Sequence, residues 1–131
     1  MSWQIEKARE NLRVGTAALR QGEVNAAANR LYYAFYHLAW GALEQAGYRP
    51  SQFQAEARDS WRHEVLRGNP RLIARVLEAQ LGARGRFEIE SLLRTLQMQR
   101  IFADDCPMPA DPIILGRLLP RLRSLFDGDL P

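Results

Sequence analysis

Glu23, Arg30, His37 and Glu44 are spaced seven residues apart. At 100° per residue, seven steps return to within about 20° of the starting direction, so on a helix the four share one stripe. Tyr33 and Trp40, also seven apart, lie along its edge. An arginine in line with a histidine has a definite chemistry open to it. An imidazole, with an ordinary pKa near 6.5, can accept or donate a proton around neutral pH. A guanidinium can grip a phosphate and stabilise the negative charge that grows on it during reaction. Together they could promote attack of an RNA 2′-hydroxyl on the adjacent phosphate without a metal. Three readings of the stripe compete. It could simply face solvent, or turn inward so that Arg30 is a buried anchor against Asp104 or Asp105. It could also line a cleft or a two-fold seam, with Arg30 and His37 as the working groups.

The elements that would position this stripe are helical, since no stretch alternates with period two beyond a few residues. Ile5, Ala8, Leu12, Gly15 and Leu19 predict a first helix from about Trp3 to Gln21, stopped by Gly22. A second runs from Glu23 to Ala46 and ends at Gly47. It is apolar around more than half its circumference, which predicts a central or shared position. Ser51 with Gln54 reads as a capping box for a third helix, with Phe53, Ala57, Trp61 and Val65 inward. Gly68-Asn69-Pro70 predicts a stop and a new start, Asn69 as cap and Pro70 at the first helical position. Leu72, Ile73, Val76, Leu77 and Leu81 follow, and Gly82 to Gly85 reads as a flexible loop. A further helix from Arg86 to Asp104 faces Ile89, Leu92, Leu93, Leu96 and Ala103 inward. Asp111 and Pro112 open the last, with Ile114, Leu118, Leu122 and Leu125 inward and Pro120 expected to kink it. The expected fold is all-α, an up-and-down helical bundle of five or six helices. One domain over residues 1–126 is expected, with a frayed tail at 127–131.

Composition constrains the partners less than it first suggests. Of 131 residues 47% are hydrophobic and 25% charged, which suits one globular domain and excludes disordered or collagen-like composition. The net charge is +3, and Lys7 is the sole lysine among 18 basic residues. Arginine's planar fork suits phosphates, but GC-rich codon usage produces the same bias. With one cysteine, Cys106, and two histidines, neither a disulfide framework nor a structural zinc site is expected. The acidic, non-apolar start predicts no secretory signal. The apolar run Leu31–Leu43 is too short for a membrane span, so a cytoplasmic setting is expected.

The segment Asn29-Arg30-Leu31-Tyr32-Tyr33-Ala34-Phe35-Tyr36-His37 resembles the second-helix signature of the HEPN family (higher eukaryotes and prokaryotes nucleotide-binding). Ser60-Trp61-Arg62-His63 is similar to the start of that family's next helix. Arg100-Ile101-Phe102-Ala103-Asp104 resembles its later Arg-x-x-Ala-Asp motif. The likeness extends over about Trp3 to Asp105. It implies a bundle of four or five helices that commonly forms a homodimer, and in many members a metal-independent ribonuclease with an Arg-x(4–6)-His motif. Others of the family are non-catalytic modules, and several pair as toxins with a minimal nucleotidyltransferase antitoxin. Carried onto this chain, Arg30 and His37 are the catalytic candidates, with six residues between them. Asn29, Tyr33, Trp40 and His63 are candidates for holding RNA or a nucleotide, the aromatics by stacking a base. Leu31 stands where active ribonucleases usually carry a polar residue, and Asp105 where tyrosine is common.

The remaining candidates have plainer readings. Arg58, Arg62, Arg67 and Arg71 surround His63 but are diluted by Asp59 and Glu64. Asp104 is expected to pair with Arg100 or Arg30, so Arg100 and Asp104 are supporting residues. Cys106 reads as packing. Arg117, Arg121 and Arg123 form a stripe that reads chiefly as exposed charge. Gly82-x-x-Gly85 lacks the lysine and the preceding strand of a phosphate loop, so no cofactor is expected, and no metal.

Overall fold

The computed structural model describes residues 3–52, 68–81 and 85–126. All regular structure among them is helical: α1 (Trp3–Arg20), α2 (Val24–Gln45), a single 3₁₀ turn (Pro50–Gln52), α3 (Pro70–Leu81), α4 (Arg86–Asp105) and α5 (Pro112–Phe126). The chain is an all-α bundle. No helix among the described residues is long and apolar enough to cross a membrane. The expected third helix, with Phe53, Gln54, Ala57, Trp61, His63 and Val65, lies outside the described residues, as do Arg67, Gly82 to Arg84 and the tail at 127–131.

Local chemistry explains where these helices begin and end. Gly22 and Gly47 take φ of +79° and +89°, the left-handed conformation that costs glycine little. After α1, Glu23 N donates to Ala18 O (2.9 Å) and Gly22 N to Leu19 O (3.1 Å). After α2, Tyr48 N donates to Leu43 O and Gly47 N to Glu44 O, both at 3.0 Å. Both pairs are Schellman closures, which satisfy carbonyls a helix end otherwise leaves bare. At the start of α5, Asp111 Oδ1 accepts from Ile113 N (2.9 Å) and Ile114 N (3.4 Å), with Pro112 in the first helical position. Pro120 removes one bond within α5, yet the helix runs on to Phe126. Pro120 and Gly116 are both exposed, so water can satisfy the carbonyl that loses its donor. Of the expected capping box only Ser51 is described, Gln54 lying outside the described residues. Arg49 N donates to Gln52 Oε1 (2.8 Å), and Ser51 sits inside the 3₁₀ turn.

The α2 helix is the hub, packing against all four other described helices. Leu31, Tyr32, Ala34, Phe35, Leu38 and Ala39 are buried along it and join residues of every other helix in one cluster. The α1–α2 contact is the closest. A Cβ on Gly15 would lie 2.9 Å from Leu31 Cδ2 and 3.2 Å from Arg30 Cβ, and one on Gly41 would lie 2.9 Å from Ile5 Cδ1. Gly15 opposite Leu31 and Gly41 opposite Ile5 put the two helices antiparallel. Polar groups secure the far end: buried Gln99 accepts from Asp111 N (2.7 Å), and Asn25 Oδ1 accepts from Ala110 N (2.9 Å).

Two glycine substitutions should have opposite signs. Gly15→Ala gains about 1 kcal/mol in helix propensity, but overpacking against a fully buried leucine costs about 1–3 kcal/mol. A net loss, seen as a Tm lower by about 4–8 °C, is expected. Nothing lies within 4 Å of a Cβ on Gly116. Gly116→Ala should therefore raise stability by about 0.5–1 kcal/mol. Thermal unfolding of both proteins checks the pair, and a stabilised Gly15→Ala would refute the close-packing account.

Candidate functional site

The seven-residue stripe of α2 does not turn into the core. Glu23, Arg30 and Glu44 are exposed and His37 is half-buried. The stripe runs along the seam with α1, which supplies a partner to Arg30, His37 and Glu44. Arg30 Nη1 donates to Asn11 Oδ1 (3.3 Å). Glu44 accepts from Gln4 Nε2 through Oε1 (2.9 Å) and from Trp40 Nε1 through Oε2 (2.7 Å). Between these levels Arg30, His37, Asn29 and Tyr33 line an open cleft whose other wall is Lys7, Glu10 and Asn11. Arg30 and His37 leave α2 two helical turns apart, about 10 Å along the axis between their backbone positions.

The inward alternative for Arg30 is corrected by this geometry. Asp104 is occupied elsewhere: its Oδ2 accepts from Asn29 Nδ2 (3.1 Å) and lies 3.5 Å from Arg100 Nε. That second contact is an ion pair rather than a hydrogen bond, since Arg100 Nε has no hydrogen-bond partner. Arg100 in turn lies over the rings of Tyr32 (5.0 Å) and Tyr33 (5.8 Å). Cation–π contact of this kind suits a half-desolvated guanidinium. The network Asn29–Asp104–Arg100–Tyr33 thus clips α4 to α2 behind the cleft. It holds Asn29 by its amide and braces the Tyr33 ring. Asp105 is exposed and also takes no part in binding Arg30.

His37 sits among aromatic rings. Trp40 stacks on it at 5.9 Å between centroids, with an interplanar angle of 21°. Tyr36 meets it edge-on at 5.2 Å, Trp3 at 6.2 Å, and Tyr33 lies tilted at 6.3 Å. Trp40 is therefore packed against the imidazole and half-buried, and does not stand out as an open platform. Trp3 is 48% exposed and forms the outer edge of this cluster. Among the described residues, no group of three or more His, Cys, Asp or Glu could hold a metal ion. Cys106 is a free, half-buried thiol. His63 lies outside the described residues.

The wall from α1 is what sequence reading missed. Trp3, Lys7 and Glu10 are four and three residues apart and Asn11 is four beyond Lys7, so they share a face of α1. That signal was present, but nothing in it says which helix the face meets.

Stability separates the two arginine roles. Asp104→Ala strands the Arg100 charge and releases Asn29, and should cost about 1 kcal/mol. Arg30→Ala, at an exposed site with one long hydrogen bond, should stay within about 0.5 kcal/mol of the parent. Urea unfolding of the two variants measures both, and a large loss from Arg30→Ala would restore the buried-anchor reading. No protein-family model, no curated protein and no solved structure matches the chain, so its own residues carry the interpretation of the cleft.

Proposed function

We propose that this chain is a HEPN-type helical domain whose α1–α2 cleft binds an RNA phosphate and promotes metal-independent cleavage of the strand. One observation carries the reading: Arg30 is exposed and opens on the same cleft as His37, beside Lys7, Asn11 and Asn29. In this reading Arg30 and Lys7 hold the phosphate, and Arg30 stabilises the extra charge of the five-coordinate phosphorus. His37 takes the proton from the 2′-hydroxyl. The 2′-oxygen–phosphorus bond forms as the bond to the 5′-oxygen breaks, giving a 2′,3′-cyclic phosphate. The departing 5′-oxygen then needs a proton. A two-fold related copy would supply it from a second His37, so a homodimer is part of the proposal.

Leu31, the departure from the pattern of active ribonucleases, has a local explanation. Its side chain is fully buried and packs where Gly15 leaves room, so it serves the helix contact and does not enter the cleft. Glu10, by contrast, places a carboxylate in the cleft near the arginine. That favours a second reading, in which the same cleft holds a nucleotide or a nucleotidyltransferase partner without cleavage.

The test is cleavage of a labelled single-stranded RNA by purified protein in excess EDTA. The parent should release products ending in a 2′,3′-cyclic phosphate. Loss of the proton-transfer group in His37→Ala should lower the rate by about 10²–10⁴-fold, and loss of the charge in Arg30→Ala by about 10²–10³-fold, with circular dichroism at the assay temperature confirming that both variants are folded. Equal rates in all three proteins would sink the mechanism. RNA binding without cleavage by the parent would establish the second reading instead.

A further inference from the structure

The other flank of α1 carries a second feature. Arg9, Arg13 and Arg20 follow Thr16's face of α1 at spacings of four and seven, and Arg123 of α5 closes the same groove. All four arginines are exposed. Among the described residues, none of the four has an acidic or hydrogen-bonding partner and no acid lines the groove. Its floor is Leu12, Ala17 and Thr16, whose hydroxyl already donates to Leu12 O (2.7 Å). Arg9 and Arg13 each lie two residues from a cleft-lining position, Lys7 and Asn11. Two residues turn a helix by about 200°, so these arginines point away from Lys7 and Asn11, and Glu10 lies on the edge between the groove and the Arg30–His37 cleft.

Four unpaired guanidinium groups crowded in one groove repel one another, and a string of phosphates relieves that repulsion along their length. The α1 row covers about 16 Å at the helical rise, enough for several successive phosphates. Arginine's fork takes phosphate oxygens two at a time. Among the described residues the groove has no aromatic, tryptophan or tyrosine above all, of the kind that anchors protein interfaces; its one large apolar side chain, Leu12, is half-buried in the floor. None of its described lining residues carries a ring on which an unpaired base could stack. A polyphosphate backbone whose bases are turned away meets all of these conditions. We propose that the α1–α5 groove binds the phosphate backbone of double-stranded nucleic acid without reading its sequence. This goes beyond the cleavage proposed for the other flank and does not require it.

The experiment is fluorescence anisotropy with a labelled 20-base-pair DNA duplex, titrated between 50 and 200 mM salt. DNA has no 2′-hydroxyl, so it cannot be cut by the chemistry above, and binding is read independently of cleavage. Each neutralised phosphate adds about 0.9 to the salt slope of B-DNA binding. Replacing Arg9, Arg13, Arg20 and Arg123 together by alanine should therefore flatten the slope by about 3–4. Over that salt range the parent should lose about 100-fold more affinity than the variant. Arg94→Ala with Arg117→Ala, two exposed arginines off the groove, should leave the slope unchanged. Lysine at all four groove positions should recover it, with circular dichroism melting confirming the fold of each protein. The proposal fails if the parent does not bind, if the alanine variant keeps the parent's slope, or if the lysine variant does not recover it. It fails also if polyglutamate at equal charge displaces the duplex as well as unlabelled duplex does, since the groove would then select charge and not phosphate.

Discussion

The rest of the molecule depends on how closely α1 approaches α2. Leu31 of α2 occupies the space where a side chain on Gly15 of α1 would be, and Ile5 of α1 does the same at Gly41. Packed interiors have little slack, so the helix separation there is set by hydrogen atoms on two glycines. At that separation short side chains reach across: Asn11 to Arg30, and Gln4 to Glu44. A wider seam would leave the two walls of the cleft unconnected. It would also loosen the aromatic cluster, because Trp3 reaches His37 and Trp40 only from an α1 held this near.

The opposite side of α2 is held by other means. There α4 packs antiparallel, and the half-exposed pair Asp104–Arg100 connects to Asn29 and to the Tyr32 and Tyr33 rings. An exposed ion pair alone contributes little. Here the carboxylate also accepts a hydrogen bond from α2 and the guanidinium lies against two rings, so the contact fixes the register of α4 on α2. The consequence for the cleft is indirect but firm. Asn29 and Tyr33 are bound from behind, so the polar line of α2 is left facing α1 and solvent.

Charge is divided unequally between the two flanks of α1. The cleft flank mixes Lys7 with Glu10 and Asn11, and faces one arginine and one histidine. The α5 flank has four arginines and no acid among the described residues. A uniform patch attracts any polyanion and falls off with salt, whereas a mixed cleft with an imidazole selects by geometry. The net charge of +3 conceals this difference, because it averages over faces that never meet one partner together.

Helix ends were legible in the sequence because their chemistry is local. Gly22, Gly47, Asp111 and Pro112 act on backbone groups within a few residues, so their positions alone state the boundary. The central place of α2 was legible too, since a helix apolar around most of its circumference can be satisfied only by neighbours on several sides. The seven-residue spacing likewise established that Glu23, Arg30, His37 and Glu44 share a direction. What spacing could not say is what lies in that direction. Asp104 was an equally good partner for Arg30 or Arg100 on paper, and only the register of α4 gave it to Arg100 and Asn29. The α1 wall, the enclosure of His37 by Trp3 and Trp40, and the meeting of Arg123 with the α1 arginines all join residues distant in the chain. Periodicity orders side chains around one helix axis, while their partners depend on the rotation and separation of a second axis. Those are decided by packing at contacts such as Gly15 against Leu31, which appear only when the helices are assembled.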